Sequence, residues 1–121
     1  MEYPLLRSSA ELQSFLEKAE LVNDTAQQII KDFAMFGLSI SFSGESTNAY
    51  KELHHQLIEQ IEHLLRHSQS TLISVLYRID LPEEELERGF KELPDYNQVE
   101  AMAHMIIVRE LKKVLSRKFY K

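Results

Sequence analysis

Cysteine is absent from the 121-residue chain. Disulfides, thiolate nucleophiles and Cys-ligated zinc are thereby excluded. Glycine and proline are scarce, three of each, which argues against disorder and against a turn-rich β-sandwich. So little glycine leaves no phosphate-cradling loop, and no G-x-S-x-G nucleophile elbow occurs. No apolar run approaches the about 20 residues that a membrane-spanning helix needs. The most apolar stretch, Val99 to Val108, is interrupted by His104. The first residues, Met1 to Arg7, lack the basic start and apolar stretch of a secretory signal, so a cytoplasmic location is expected.

What is present is ordinary for a globular protein: 44% hydrophobic and 27% charged residues. The length predicts one domain over residues 1–121, able to bury roughly two-thirds of its unfolded surface. The net charge of −5 is unevenly spread. Residues 109–121 carry six Lys/Arg and one Glu; the first 108 carry eight Lys/Arg and eighteen Asp/Glu. The acidic majority argues against nucleic acid as a partner, while the basic end keeps that reading open.

Apolar residues recur at helical spacing through most of the chain. Ser8-x-x-Glu11 is a capping-box pattern that opens a helix over about 9–22. Asn23-Asp24-Thr25 predicts a break, then a second helix over about 25–36, closed by Gly37. Leu38 to Gly44 alternates strictly and has no partner strand. It is read as an extended connector at 38–43 that drops Leu38, Ile40 and Phe42 into the core, or else as an edge that pairs with a second copy. Ser46 or Thr47 is expected to cap a helix over about 48–67. Thr71, Ser74 and Arg78 recur at three and four, which makes 69–79 a mostly buried helix despite its β-rich composition. Pro82 and Glu83-Glu84-Glu85 open a short helix over about 82–92. Asp95 is expected to cap the last helix, about 96–118, whose middle is apolar all round and therefore buried. The expected architecture is a compact all-α bundle of five to six helices, with its two longest helices as spine.

The segment Leu76-Tyr77-Arg78-Ile79-Asp80, its acidic turn, and the closing Arg109-Glu110-Leu111-Lys112-Lys113 helix resemble small uncharacterised bacterial all-helical proteins. The resemblance covers roughly the C-terminal two-thirds of the chain. It implies a helical fold and brings no activity, cofactor or site residues.

Four polar residues fall on apolar faces and are candidates for a pocket: His54, Glu100, His104 and Glu110. A buried polar group needs a partner, so each reads first as a packed residue satisfied by a carbonyl, a tyrosine or an ion pair. For Glu110, Arg78 and Arg109 are the candidate partners. The second reading makes them a base or a ligand contact. Glu52-x-x-His55 has di-iron spacing, but a second E-x-x-H is missing and both residues point away from the apolar stripe. Glu59, His63 and His67 form a solvated i,i+4 ladder. Glu83-Glu84-x-x-Glu87 is similar to the magnesium motif of all-α nucleoside-triphosphate pyrophosphatases. Those enzymes require a second acidic motif on a later helix, and Glu92-Leu93-Pro94-Asp95 follows too closely to supply it. Arg109, Lys112, Lys113, Arg117 and Lys118 are candidates for anion or partner contact. Cations at a helix C-terminus are favourable on dipole grounds alone.

These observations favour a non-enzymatic helical module for protein interaction, as a homodimer or with another protein, requiring no metal or other cofactor. The surplus of apolar helix surface carries that expectation. The alternatives are a small metal- or nucleotide-dependent enzyme, and anion or nucleic-acid binding through the basic last helix.

Overall fold

The computed structural model describes the backbone of residues 9–119 and the side chains of residues 18–118. Five α-helices follow one another: α1 Ser9–Ala34, α2 Ala49–His67, α3 Gln69–Ile79, α4 Glu83–Glu92 and α5 Gln98–Phe119. Among the described residues there is no strand. The expected all-α bundle is the fold found. The Ser8 capping box lies outside the described residues.

The expected break at residues 23–25 does not occur; α1 runs through it. Thr25 explains why. Its Oγ1 donates to the Leu21 carbonyl at 2.8 Å inside the helix, so the hydroxyl caps nothing. Burial of Ala26, Ile29 and Phe33 then holds the helix straight against its neighbours. Tertiary packing overrides a weak local preference for a turn. Gly37 closes α1 as expected. It sits at φ +75°, and the amides of Gly37 and Leu38 bond back to Ala34 and Phe33 in a Schellman turn.

The alternating segment is a connector strapped to α2 by side chains. Gln56 bonds both backbone groups of Ser41: Ser41 N donates to Oε1 at 2.9 Å and Nε2 donates to Ser41 O at 2.8 Å. Glu52 accepts from the backbone N of Ser43 at 2.8 Å, and Gln60 donates to Ser39 O at 3.2 Å. Four helical residues rise about 6 Å and two extended residues about 6.6 Å. That near-match lets residues 52, 56 and 60 meet residues 43, 41 and 39 in step. Ile40 is buried beneath the strap, and the backbone groups that Ser39, Ser41 and Ser43 turn toward α2 are taken by its side chains.

Two helix starts differ from expectation. No side chain caps α2; a 3-10 turn at Ser46–Asn48 leads into it. For α5 the cap is Asn97, not Asp95. Asn97 Oδ1 accepts from Glu100 N at 2.8 Å, and Glu100 Oε1 accepts from Asn97 N at 2.9 Å. This reciprocal pair is a capping box.

Helix α5 is the centre of the bundle and packs against α1, α2, α3 and α4. No residue from Val99 to Leu111 is exposed. Leu53, Leu57 and Ile61 of α2, Ile29 and Phe33 of α1, Val75 and Ile79 of α3, and Ala103 and Ile106 of α5 form one continuous core. The apolar surplus expected on α5 is therefore covered by the chain itself.

Candidate functional sites

The four candidate pocket residues separate into two clusters. The first joins α2 and α5. Tyr50 and His54, one turn apart on α2, stack with ring centroids 5.1 Å apart. His104 of α5 meets Tyr50 edge-on at 5.7 Å. Tyr96, in the turn before α5, closes the group, 5.3 Å from His54 and 5.8 Å from His104. The Tyr50 hydroxyl lies 2.7 Å from His104 Nδ1 and 3.0 Å from the Tyr96 hydroxyl. His54 Nε2 is 2.9 Å from the backbone oxygen of Glu100 and therefore carries a proton. Glu100 serves this cluster through its carbonyl; its carboxylate is engaged in the cap.

Burial, then the Tyr96 hydroxyl beside it, pushes the Tyr50 phenol far above its ordinary pKa, so Tyr50 keeps its proton. Burial, then the nearby His54, holds His104 below the usual histidine value. Two proton arrangements satisfy this chain: Tyr96 donates to Tyr50 and Tyr50 to Nδ1 of His104, or Nδ1 of His104 donates to Tyr50 and Tyr50 to Tyr96. His104 also lines a cleft of about 290 Å³ between α4 and α5.

The second cluster joins α1 and α5. Asp32 and Glu110 are both 0% exposed. Lys113 Nζ lies 3.0 Å from Asp32 Oδ2 and 3.1 Å from Glu110 Oε1. Gln28 Nε2 donates to Asp32 Oδ1 at 3.1 Å, and Arg78 Nε reaches the same oxygen at 3.4 Å. Burial raises Asp32, but hydrogen bonds from Glu110, Lys113 and Gln28 outweigh it and hold its pKa below the ordinary value. Burial, then the Asp32 carboxylate, raises Glu110 to about 8. As a carboxylate, Glu110 would have two buried oxygens without an aligned donor. As a carboxylic acid, it donates to Asp32. The pair therefore holds one charge at neutral pH, facing Lys113 and the Arg78 guanidinium. The partner of Glu110 is neither Arg78 nor Arg109. Arg109 Nη2 meets Asp80 Oδ2 at 2.8 Å, and its Nε donates to Ile79 O at 3.3 Å.

The remaining candidates stand apart. Lys118 is held by Glu20 at 2.7 Å and Asp24 at 3.4 Å. Lys112 and Arg117 are exposed. Glu83, Glu84 and Glu87 stay on the solvent side of α4. His55 pairs with Glu59 at 2.8 Å, and the His63 and His67 rings lie 4.6 Å apart on the same surface. Among the described residues no three His, Asp or Glu side chains converge as a metal site.

The pattern of the sequence did not single out Tyr50, Tyr96 or Asp32 as site residues. Thr25, Gln28 and Asp32 form a polar i, i+3, i+7 line beside the apolar stripe of α1, and all three are buried. That line was the signal available.

The two most exposed large apolar side chains among the described residues lie on α3, beside its groove with α4. Ile73 is 67% exposed and Tyr77, one turn on, is 87% exposed. Beside them Leu76, Leu81, Pro82 and Leu86 line a groove of about 430 Å³, with Asp80 and Glu83 at its rim. No helix of the described residues is long and apolar enough to cross a membrane. No protein-family model, no curated protein and no solved structure matches the chain.

Proposed function

We propose that the chain is a non-enzymatic helical interaction module that pairs with a second copy through the outer face of α3. The observation that carries this reading is the exposure of Ile73 and Tyr77 on successive turns of one helix. Ser70, Ile73, Ser74 and Tyr77 follow i, i+3, i+4, i+7 spacing, and all four are exposed. That is the apolar and small-residue stripe of a helix seam. The two serines let a second helix come close.

Charge supports a second copy as the occupant. The chain runs into α3 through Arg66 and His67 and leaves it through Asp80, Glu83 and Glu84, and all five are exposed. Two α3 helices packed antiparallel would set Ile73 against Tyr77 of the partner subunit. The same register would bring the acidic exit of one copy to the basic approach of the other. A two-fold interface is self-complementary in this way. Burying an Ile or Tyr side chain of this size contributes about 1.5–3 kcal/mol.

The test is size-exclusion chromatography with light scattering over a range of concentrations. A dimer is expected, converted to a monomer by Ile73→Glu with Tyr77→Glu while the helical circular dichroism stays the same. A wild-type chain that remains monomeric at high concentration, or a variant that still dimerises, overturns the proposal.

A further inference from the structure

The α4–α5 cleft combines a shaped apolar floor with positive charge. Gly89 makes the close approach of the two helices: a Cβ there would overlap the side chain of Met105. Met105 and Val108 of α5 and Leu81 before α4 complete the floor. Arg88, Arg109 and Lys112 stand at its walls, and His104 closes one end.

The cations differ in what holds them. Arg109 is anchored by Asp80 and the Ile79 carbonyl. Arg88 has Glu85 three residues before it and Glu92 four residues after it, the spacings that favour ion pairs on a helix. Among the described residues, however, no ion pair involves Arg88 or Lys112. Both remain available to a ligand. The Tyr50 hydroxyl, itself in contact with Tyr96, occupies the Nδ1 of His104, and His104 also lines the cleft.

We infer that this cleft binds a small molecule bearing one carboxylate or phosphate group. Arg88 and Lys112 hold the oxyanion, and Met105 and Val108 receive the apolar remainder. Guanidinium and ammonium donors bind such oxygens through charge-assisted hydrogen bonds. Glu85 and Glu92 share the wall, so the positive field is local. That arrangement suits a compact monoanion and repels an extended polyanion. The volume of about 290 Å³ sets the same size limit. This site shares Leu81 with the α3–α4 groove but none of Ser70, Ile73, Ser74 and Tyr77, and either proposal stands without the other.

The experiment is an NMR titration of the full chain with inorganic phosphate and with acetate at constant ionic strength, with chloride as control. A saturable shift of the His104 imidazole and the Met105 methyl is expected, with His55, His63 and His67 unmoved. The arm with the lower half-saturation concentration assigns the ligand as phosphate- or carboxylate-bearing. Arg88→Gln with Lys112→Gln, both exposed changes, should raise that concentration about tenfold or more. A response no different from chloride, or one that saturates unchanged in the double variant, overturns the inference.

Discussion

Asp32 on α1 and Glu110 on α5 share one lysine: Lys113 Nζ stands 3.0 Å from the first carboxyl and 3.1 Å from the second. Two fully buried acids cannot both ionise at such range without a large desolvation cost, even with the Arg78 guanidinium 3.4 Å from Asp32. The proton on Glu110 resolves the conflict and turns a repulsive pair into a hydrogen bond. It also ties the two longest helices together at a defined register.

Stability should fall on the alkaline side because of Glu110. Its folded pKa is raised from 4.5 to about 8, so the folded state binds more protons than the unfolded state between those values. The corresponding stabilisation is complete below about pH 4.5 and is lost as pH rises through 8. Glu110→Gln keeps a donor for Asp32 and an acceptor for Lys113 and cannot ionise. Urea midpoints of the two proteins should converge near pH 5 and separate by roughly 2–4 kcal/mol by pH 9, with the variant more stable. Parallel curves across that range would show that Glu110 carries no buried proton.

His104 acts in the opposite direction. Its folded pKa lies below the ordinary 6.5, so the unfolded chain takes up a proton that the folded chain does not. The stability contributed by the neutral imidazole is present above that value and is lost as pH falls through the folded pKa. Replacing His104 by Gln should flatten the loss of stability between about pH 7.5 and 5.5. A midpoint with the same pH dependence in both proteins would assign the acid loss to other groups.

Gly89 offers a test by sign. On an open helix, Gly→Ala stabilises by about 1 kcal/mol. Here the new methyl meets the sulfur and terminal methyl of Met105. Gly89→Ala alone should destabilise by about 1–3 kcal/mol. In a Met105→Ala background the same change should stabilise. Thermal denaturation of the four proteins forms the cycle, and a stabilising Gly89→Ala in the wild type would mean the helices are not in close contact there.

Helix positions were legible where apolar spacing and end signals agreed. The helix over 69–79 and the end at Gly37 follow from spacing and from left-handed backbone at a helix C-terminus. That no residue from Val99 to Val108 is exposed followed from the run itself, although only Ala101, Ala103 and Ile106 of it are fully buried. The break at residues 23–25 was wrong because Asn, Asp and Thr are good caps only when nothing better is offered. Burial of the face around Ala26 and Ile29 offered more. The α5 cap was misplaced by two residues because Asp95 and Asn97 carry equivalent capping groups, and only geometry chooses between them.

The site shows the same division. That His54, His104 and Glu110 need partners could be read from their apolar neighbours, since a buried polar group is costly alone. Who those partners are depends on which helix faces which. Tyr96 is separated from Tyr50 by 46 residues and Lys113 from Asp32 by 81, and no local pattern spans such distances. The chain by itself determined a helical bundle, its turns and the residues that must be satisfied, because these rest on spacing and burial along one helix. The tertiary structure alone decided that Lys113 serves two acids, that His104 borders a cationic cleft, and that Ile73 and Tyr77 face outward. Those outcomes depend on how the helices rotate and cross, which is set by packing summed over the whole core.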